Sequence, residues 1–329
     1  MTFEYKNVYV GNTSTVVGPY EYQGPLGNLF DKTFKDFYCD SKTIEQGEIN
    51  LEKTAINILL KKTKLKEKDI NLLISGDLLN QITPSVYSAK CFKVPFLGIY
   101  TACASSVEGI IIGSNFIDGG YIEKSIVTVS SHNLTSEKQF RNPTEYGALK
   151  PKTATFTSTG AGSILLQNKK TNIAVKSATI GKIIDFNQKD PNNMGAVMAC
   201  AAADTIREHL KDLKIDPDYY DLILTGDLGI YGKEILKEYM LKKYKIALNN
   251  YDDCGVLLYD LDHQKEVNAG ASGPASSALV TYSYIYKLMQ EKKLKKVLLV
   301  ATGALFSPIS IYQKMSIPSI ANAISLEVV

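Results

Sequence analysis

Three landmarks occur twice in this chain, in the same order, and that doubling limits the fold more than any other feature. The stretch DINLLISGDLLN (residues 69–80) returns as DYYDLILTGDLGIYG (residues 218–232), each with an acidic start, an apolar strand and then Ser/Thr-Gly-Asp-Leu. KSIVTVSSHN (residues 124–133) is echoed by KKVLLVATGAL (residues 295–305). Between them lie TACASSVEGIIIGSNFIDGG and NAGASGPASSALVTYSYIYKLMQ, small residues opening a helix that is apolar on most faces. One match between short apolar strands is ordinary, but three in order imply two copies of one α/β unit. They join near residues 166–171, which divides the 329 residues into halves 1–168 and 169–329, each of common domain size.

Local signals follow the same plan. Thr43 and Gln46 form a capping box ahead of a helix with Leu51, Ala55, Ile58 and Leu59 on one face. Met198, Ala202, Thr205, Ile206, Leu210 and Leu213 repeat that period in the second half. The strands at 72–75, 126–129, 222–225 and 297–300 are continuously apolar, as central strands covered on both faces must be. Alternating strands and helices give parallel or mixed sheets. Two sheets enclosing shared buried helices would explain why residues 107–117 are apolar nearly all round. The expected fold is therefore five-layer αβαβα. Residues 132–160 are polar and aperiodic, and are read as a long binding or subunit-contact loop. The entry to the strand read at 256–259 is a turn carrying Asp253.

Composition removes several function classes. A formal charge of +3, with no run of like charges, argues against nucleic acid. No glycine-rich phosphate loop and no Asp-x-Asp-x-Asp calcium loop is present, so neither a nucleotide cofactor nor a dedicated metal site is expected. Five cysteines without a CxxC pair read as free thiols in a reducing compartment. The N-terminus has no basic-then-apolar secretion signal and no apolar stretch spans a membrane, so membrane association is expected to be peripheral. Only Arg141 and Arg207 among the 37 basic residues are arginines, the side chain suited to gripping a carboxylate bidentately. Arg207 sits mid-helix and is assigned to the surface. Arg141 lies in the long segment, either as a clamp on an acid or as an anchor to Glu137 or Glu145.

Residues 100–106, YTACASS, place a cysteine between a buried strand and an apolar helix. That arrangement, on a doubled α/β unit, resembles the thiolase and ketoacyl-synthase superfamily. Within it the chain resembles the stage V sporulation protein AD family of spore-forming bacteria. The stretches that carry the likeness are GPLGNLFDKTF (24–34), SGDLLNQ (75–81), SSHNLTSEKQFRNPTEYG (130–147), AAADTIREHL (201–210), YDLILTGDLG (220–229), DCG (253–255) and VATGALFSP (300–308). The resemblance implies a non-enzymatic role: binding dipicolinic acid, alone or as its calcium chelate, for transport into and out of the spore. It also implies a homodimer and a peripheral place on the forespore or spore inner membrane, beside membrane proteins of the same sporulation system.

In working condensing enzymes the cysteine is acylated with help from histidines. Here His209 reads as a structural imidazole and His263 as an exposed hairpin tip. The strand ends where the superfamily carries its polar partners hold Thr225-Gly226-Asp227 and Ala271-Ser272-Gly273, without a basic nitrogen. The candidate ligand-binding set is Cys103, Asp253, His132, Asn80 and Arg141, with no catalytic residue. Two other readings stay open: an acyltransferase using Cys103 with His132, and a structural subunit whose pocket is a relic.

Overall fold

The structure is a computed structural model described over residues 1–140 and 149–329. Ten strands carry the architecture: β1 (Tyr9–Val17), β2 (Leu72–Gly76), β3 (Phe96–Gly98), β4 (Lys124–Ser131), β5 (Gly160–Gln167), β6 (Ile173–Thr179), β7 (Leu222–Thr225), β8 (Tyr251–Asp253), β9 (Lys296–Ala304) and β10 (Ser319–Val328). The first five pair in the order β3-β2-β4-β5-β1 and the second five in the order β8-β7-β9-β10-β6. In both runs the two pairings from the outer edge are parallel and the two inner ones antiparallel. A single bridge, Tyr9 to Ala174, joins β1 to β6. The repeat in the sequence is thus a repeat of strand order and direction.

The helices repeat as well. α1 (Ile44–Thr63), α2 (Thr83–Ala89) and α3 (Ser105–Asp118) correspond to α5 (Met194–Leu213), α6 (Gly229–Tyr239) and α7 (Pro274–Val280), with α4 (Asn133–Phe140) between the sets. Thr43 caps α1, its Oγ1 accepting from the Gln46 amide at 3.3 Å, which satisfies one of the orphan donors of the first turn. α1 and α5 end alike, at Lys64 and Lys214, both in the left-handed conformation. In each, the following amide returns to a carbonyl of the last turn, Leu65 to Leu60 and Ile215 to Leu210.

Five layers result. α1 and α2 cover one sheet, α5 and α6 cover the other, and α3 with α7 lies between. α3 packs on strands of both runs, so Val107 and Ile110 have no exposed surface. All seven residues of α7 are buried. The Ser106 and Ser277 hydroxyls, 2.7 Å apart, join these two central helices.

Residues 132–160 differ from the expected loop, because they contain α4 and a short strand, Phe156–Thr157, paired with Ala271–Ser272. Polar tertiary bonds hold α4: Thr135 Oγ1 donates to Glu48 at 2.7 Å and Lys138 pairs with Glu45 at 2.5 Å. An apolar period is therefore absent. The strand expected at 256–259 is also absent. Asp253 ends β8, and a short helix, Cys254–Leu257, follows it.

His209 is the structural imidazole expected, buried with Nδ1 2.8 Å from Thr179 Oγ1 and Nε2 2.6 Å from the Tyr220 hydroxyl. His263 is exposed, as expected, but on a helical turn and not a hairpin, its ring 2.8 Å from Asp260. Arg207 pairs with Asp204 at 2.9 Å and lies over the Tyr244 ring.

Candidate functional site

The site lies where the outer parallel strands end and the chain turns toward the central helices. Beyond β3 the chain passes Tyr100 and Thr101 into Ala102, which has φ +51°, and then reaches Cys103. A left-handed alanine costs about 1–2 kcal/mol. Ser105 offsets that cost: its Oγ accepts from the Thr101 amide at 3.0 Å and donates to the Ala102 carbonyl at 2.8 Å. Gly303 on β9 makes room for the turn, since a Cβ there would stand 2.3 Å from the Thr101 carbonyl oxygen. α3 begins two residues after Cys103, whose side chain is buried.

Two stretches from the second half meet the thiol. Asp227, just beyond β7, faces it with a buried carboxylate, and Gly273 brings its backbone N–H from the start of α7. Asp227 Oδ1 accepts from Thr302 Oγ1 at 2.8 Å and Oδ2 from the Gly273 amide at 3.0 Å. Burial pushes the Cys103 thiol well above its ordinary range, and the neighbouring Asp227 charge pushes it the same way. The Gly273 amide opposes both. At neutral pH Cys103 is therefore a thiol and not a thiolate. Burial likewise raises Asp227 to about 7, with the Asp253 charge adding to it and the bonds from Cys103 and Thr302 opposing.

A cavity of about 90 Å³ opens over Cys103. Leu78, Phe140, Met194, Ala304 and Phe306 supply apolar walls, with the Phe140 and Phe306 rings 5.5 Å apart. Ser136 on α4 and Thr155 supply polar ones. Both residues are more than nine-tenths buried, and neither hydroxyl has a hydrogen-bond partner among the described residues. Such groups cost about 1–3 kcal/mol each when left unmade, a cost that a hydrogen bond from a polar group in the cavity would remove. Glu137 also lines the cavity and pairs with Lys150 at 2.6 Å. Among the described residues no lysine or arginine lines it.

The residues expected from sequence are only partly brought together. Cys103 is central. Asp253 is fully buried outside the cavity lining, its carboxylate taken up by Thr225 Oγ1 at 2.7 Å and the Leu228 and Gly229 amides, both at 2.9 Å. It holds the turn that aims Asp227, and burial raises it to about 6. His132 is turned away: Nε2 donates to the Phe37 carbonyl at 2.7 Å while Nδ1 accepts from the Leu134 amide. Asn80 lines a separate cleft with Gln81, Thr83 and Lys138. Arg141 lies outside the described residues. Sequence reasoning passed over Asp227, Ser136 and Thr155. The position of Asp227 was visible as a strand end without a basic nitrogen, and both hydroxyls fall in the aperiodic segment 132–160.

A model of the stage V sporulation protein AD family matches residues 1–327. The chain belongs to that family. Stage V sporulation protein AD of Bacillus subtilis (strain 168) is 47% identical over 320 residues, covering 97% of this chain and 94% of that protein. Among solved structures, two of Xanthomonas campestris OleA variants share the thiolase-like fold. One has a TM-score of 0.64 at 13% identity, covering 99% of this chain and 98% of the other. The second has a TM-score of 0.62 at 15% identity, covering 99% of each. At such identity the likeness concerns the fold.

The buried acids of this sporulation family member give a stability signature. Burial raises Glu52 to about 8, Glu21 to about 7 and Asp77 to about 6, beside Asp227 and Asp253. The folded chain then binds more protons than the unfolded one across this range, so stability falls as pH rises. His132 and His209 are lowered by burial and act in the opposite sense, but only below the ordinary histidine value of about 6.5. Melting temperature is therefore expected to fall steadily from pH 6.5 to 8.5 in differential scanning fluorimetry. A melting temperature that rises over that interval would contradict the assignment.

Proposed function

We propose that the chain is a non-enzymatic sporulation protein that binds dipicolinic acid over Cys103, for movement of that acid into and out of the spore. The observation that carries this reading is the carboxylate behind the thiol. A nucleophilic cysteine needs a positive neighbour or a base stronger than its own thiolate, and Asp227, at about 7, is a weaker base whose charge pushes the thiol further up. None of the three histidines lines the cavity.

A flat pyridine dicarboxylate asks for an apolar slot with polar groups at its ends. Phe140, Phe306 and Leu78 offer the slot, while the Ser136 and Thr155 hydroxyls offer unused donors. Family membership supports the sporulation setting. No helix among the described residues is long and apolar enough to cross a membrane. A peripheral place on the forespore or spore inner membrane, held by membrane-embedded proteins of the same system, accords with that.

Calorimetric titration with dipicolinate, with and without calcium, tests the reading and separates the free acid from its chelate as cargo. Cys103→Leu fills the slot and is expected to weaken binding by at least about tenfold, roughly 1.4 kcal/mol. Cys103→Ser keeps a small donor and is expected to stay within about threefold, well under that energy. Equal affinity in wild type and Cys103→Leu would place the ligand elsewhere. Incubation with acetyl-CoA should leave the intact mass unchanged, and an acetyl adduct on Cys103 would restore the acyltransferase reading.

We also propose a homodimer formed through the outer edge of β3. Among the described residues that strand pairs only with β2, and all three of its residues are exposed. Phe96 and Leu97 are two of these, and around the strand Val86, Tyr87 and Tyr100 are exposed as well. An uncovered edge with apolar neighbours invites pairing. Sedimentation at micromolar concentration is expected to give twice the chain mass of 36.2 kDa. Replacing Leu97 with lysine should shift the equilibrium to monomer, and a monomeric wild type would reject the interface.

A further inference from the structure

We infer that Asp227 is the proton acceptor of the cavity, so that an anionic ligand binds over Cys103 together with one proton taken up from solvent. This rests on the binding reading above and deepens it. The geometry that carries it is a sandwich one residue thick. Cys103 and Gly273 line the cavity on one side and meet the Asp227 carboxylate on the other.

Among the described residues, the groups around Asp227 supply no positive charge. From β8 comes the carboxylate of Asp253, from the turn before α3 the Cys103 thiol, from the short helix after β8 the Cys254 thiol, from β9 the Thr302 hydroxyl and from α7 the Gly273 amide. Glu137, paired with Lys150, also lines the cavity. A carboxylate guest would add a further negative charge within a few ångströms of Asp227, in a site that water reaches poorly. Two like charges so close in a poorly solvated site repel strongly. Protonating Asp227 removes that repulsion, and its carboxyl already sits at about 7 before any ligand arrives.

The proton also redirects the thiol. With Asp227 ionised, the Cys103 S–H is drawn toward the carboxylate. Once Asp227 carries the proton, its O–H donates to the sulfur, and the Cys103 S–H is released to donate to the ligand carboxylate. No bond to carbon forms or breaks, and the single proton comes from solvent. The hydrogen bonds from Thr302 and Gly273 persist in both states, because each oxygen keeps a free lone pair.

The sign of the pH dependence follows. Well below pH 7 Asp227 is already protonated, and binding takes up nothing. Above pH 7 the empty site has lost its proton and must recover it on binding. Affinity is then expected to fall by up to about tenfold per pH unit. Dipicolinate contributes no such slope there, because carboxylic acids of ordinary strength ionise near pH 4.

The experiment is calorimetry of the full chain with dipicolinate at pH 8, in phosphate and in Tris, whose ionisation heats differ. The difference in binding enthalpy counts protons, and close to one taken up per ligand is expected. Asp227→Asn should abolish the uptake and flatten the pH profile, while Glu137→Gln, whatever it does to affinity, should leave the count of protons taken up at about one. Measurable binding with no buffer dependence would overturn the inference and leave the binding reading intact. Uptake lost in Glu137→Gln but kept in Asp227→Asn would move the acceptor to Glu137 and equally overturn it. No binding of dipicolinate by wild type at any pH would reject the binding reading, and this inference with it. Thermal melts of both variants identify a folding failure, in which case the wild-type proton count decides alone.

Discussion

A buried carboxylate set against a buried thiol governs how the rest of the site is arranged. Both groups are buried and no lysine or arginine among the described residues lines the cavity beside them, so each is held there in its neutral form or by hydrogen bonds. For charges about 4 Å apart the mutual penalty is near 4 kcal/mol at an effective dielectric of about 20. A helix N-terminus such as that of α3 returns only about 0.3–1 kcal/mol to an anion. The carboxylate wins, and Cys103 remains a thiol. Thr302 and Gly273 then serve to hold Asp227 in place, and Gly303 lets the Cys103 turn approach β9 closely enough for the contact to exist.

The two repeats use the same Gly-Asp pair differently. In the first half Asp77 is consumed locally, accepting from the Leu79 amide at 2.7 Å and from the Ser85 amide and hydroxyl at 2.9 and 2.6 Å. It fixes its own turn and the start of α2. In the second half Asp253 performs that service from the neighbouring strand, binding the Leu228 and Gly229 amides. Asp227 is thereby released to face Cys103. One duplicated motif has become a structural aspartate in one half and a site aspartate in the other. The cavity sits over the second.

Much of this architecture was legible in the chain. The doubled landmarks gave the repeated strand order, because continuously apolar runs at 72–75 and 222–225 can lie only in the middle of covered sheets. Thr43 marked a helix start, and the small residues around Cys103 marked the turn. What sequence could not show is partnership across long separations. His132 follows a core strand and is placed to enter the cavity, yet the Phe37 carbonyl, 95 residues earlier, captures its ring. Asp253 looked like a pocket residue and is instead the brace behind one. α4 escaped notice because its contacts are hydrogen bonds to Glu45 and Glu48, which leave no apolar period to read.

The ionisation of Cys103 itself tests the central claim most directly. Alkylation by iodoacetamide can be followed across pH at the Cys103 peptide by mass spectrometry, in wild type and in Asp227→Asn. The midpoint of the rise in rate reports the thiol's pKa whatever its accessibility. In wild type that midpoint is expected clearly above the ordinary thiol value of about 8.5, and in Asp227→Asn it is expected to move down. A wild-type midpoint at or below the ordinary value, unmoved by the substitution, would mean that Cys103 is a poised nucleophile and that the carboxylate does not control it.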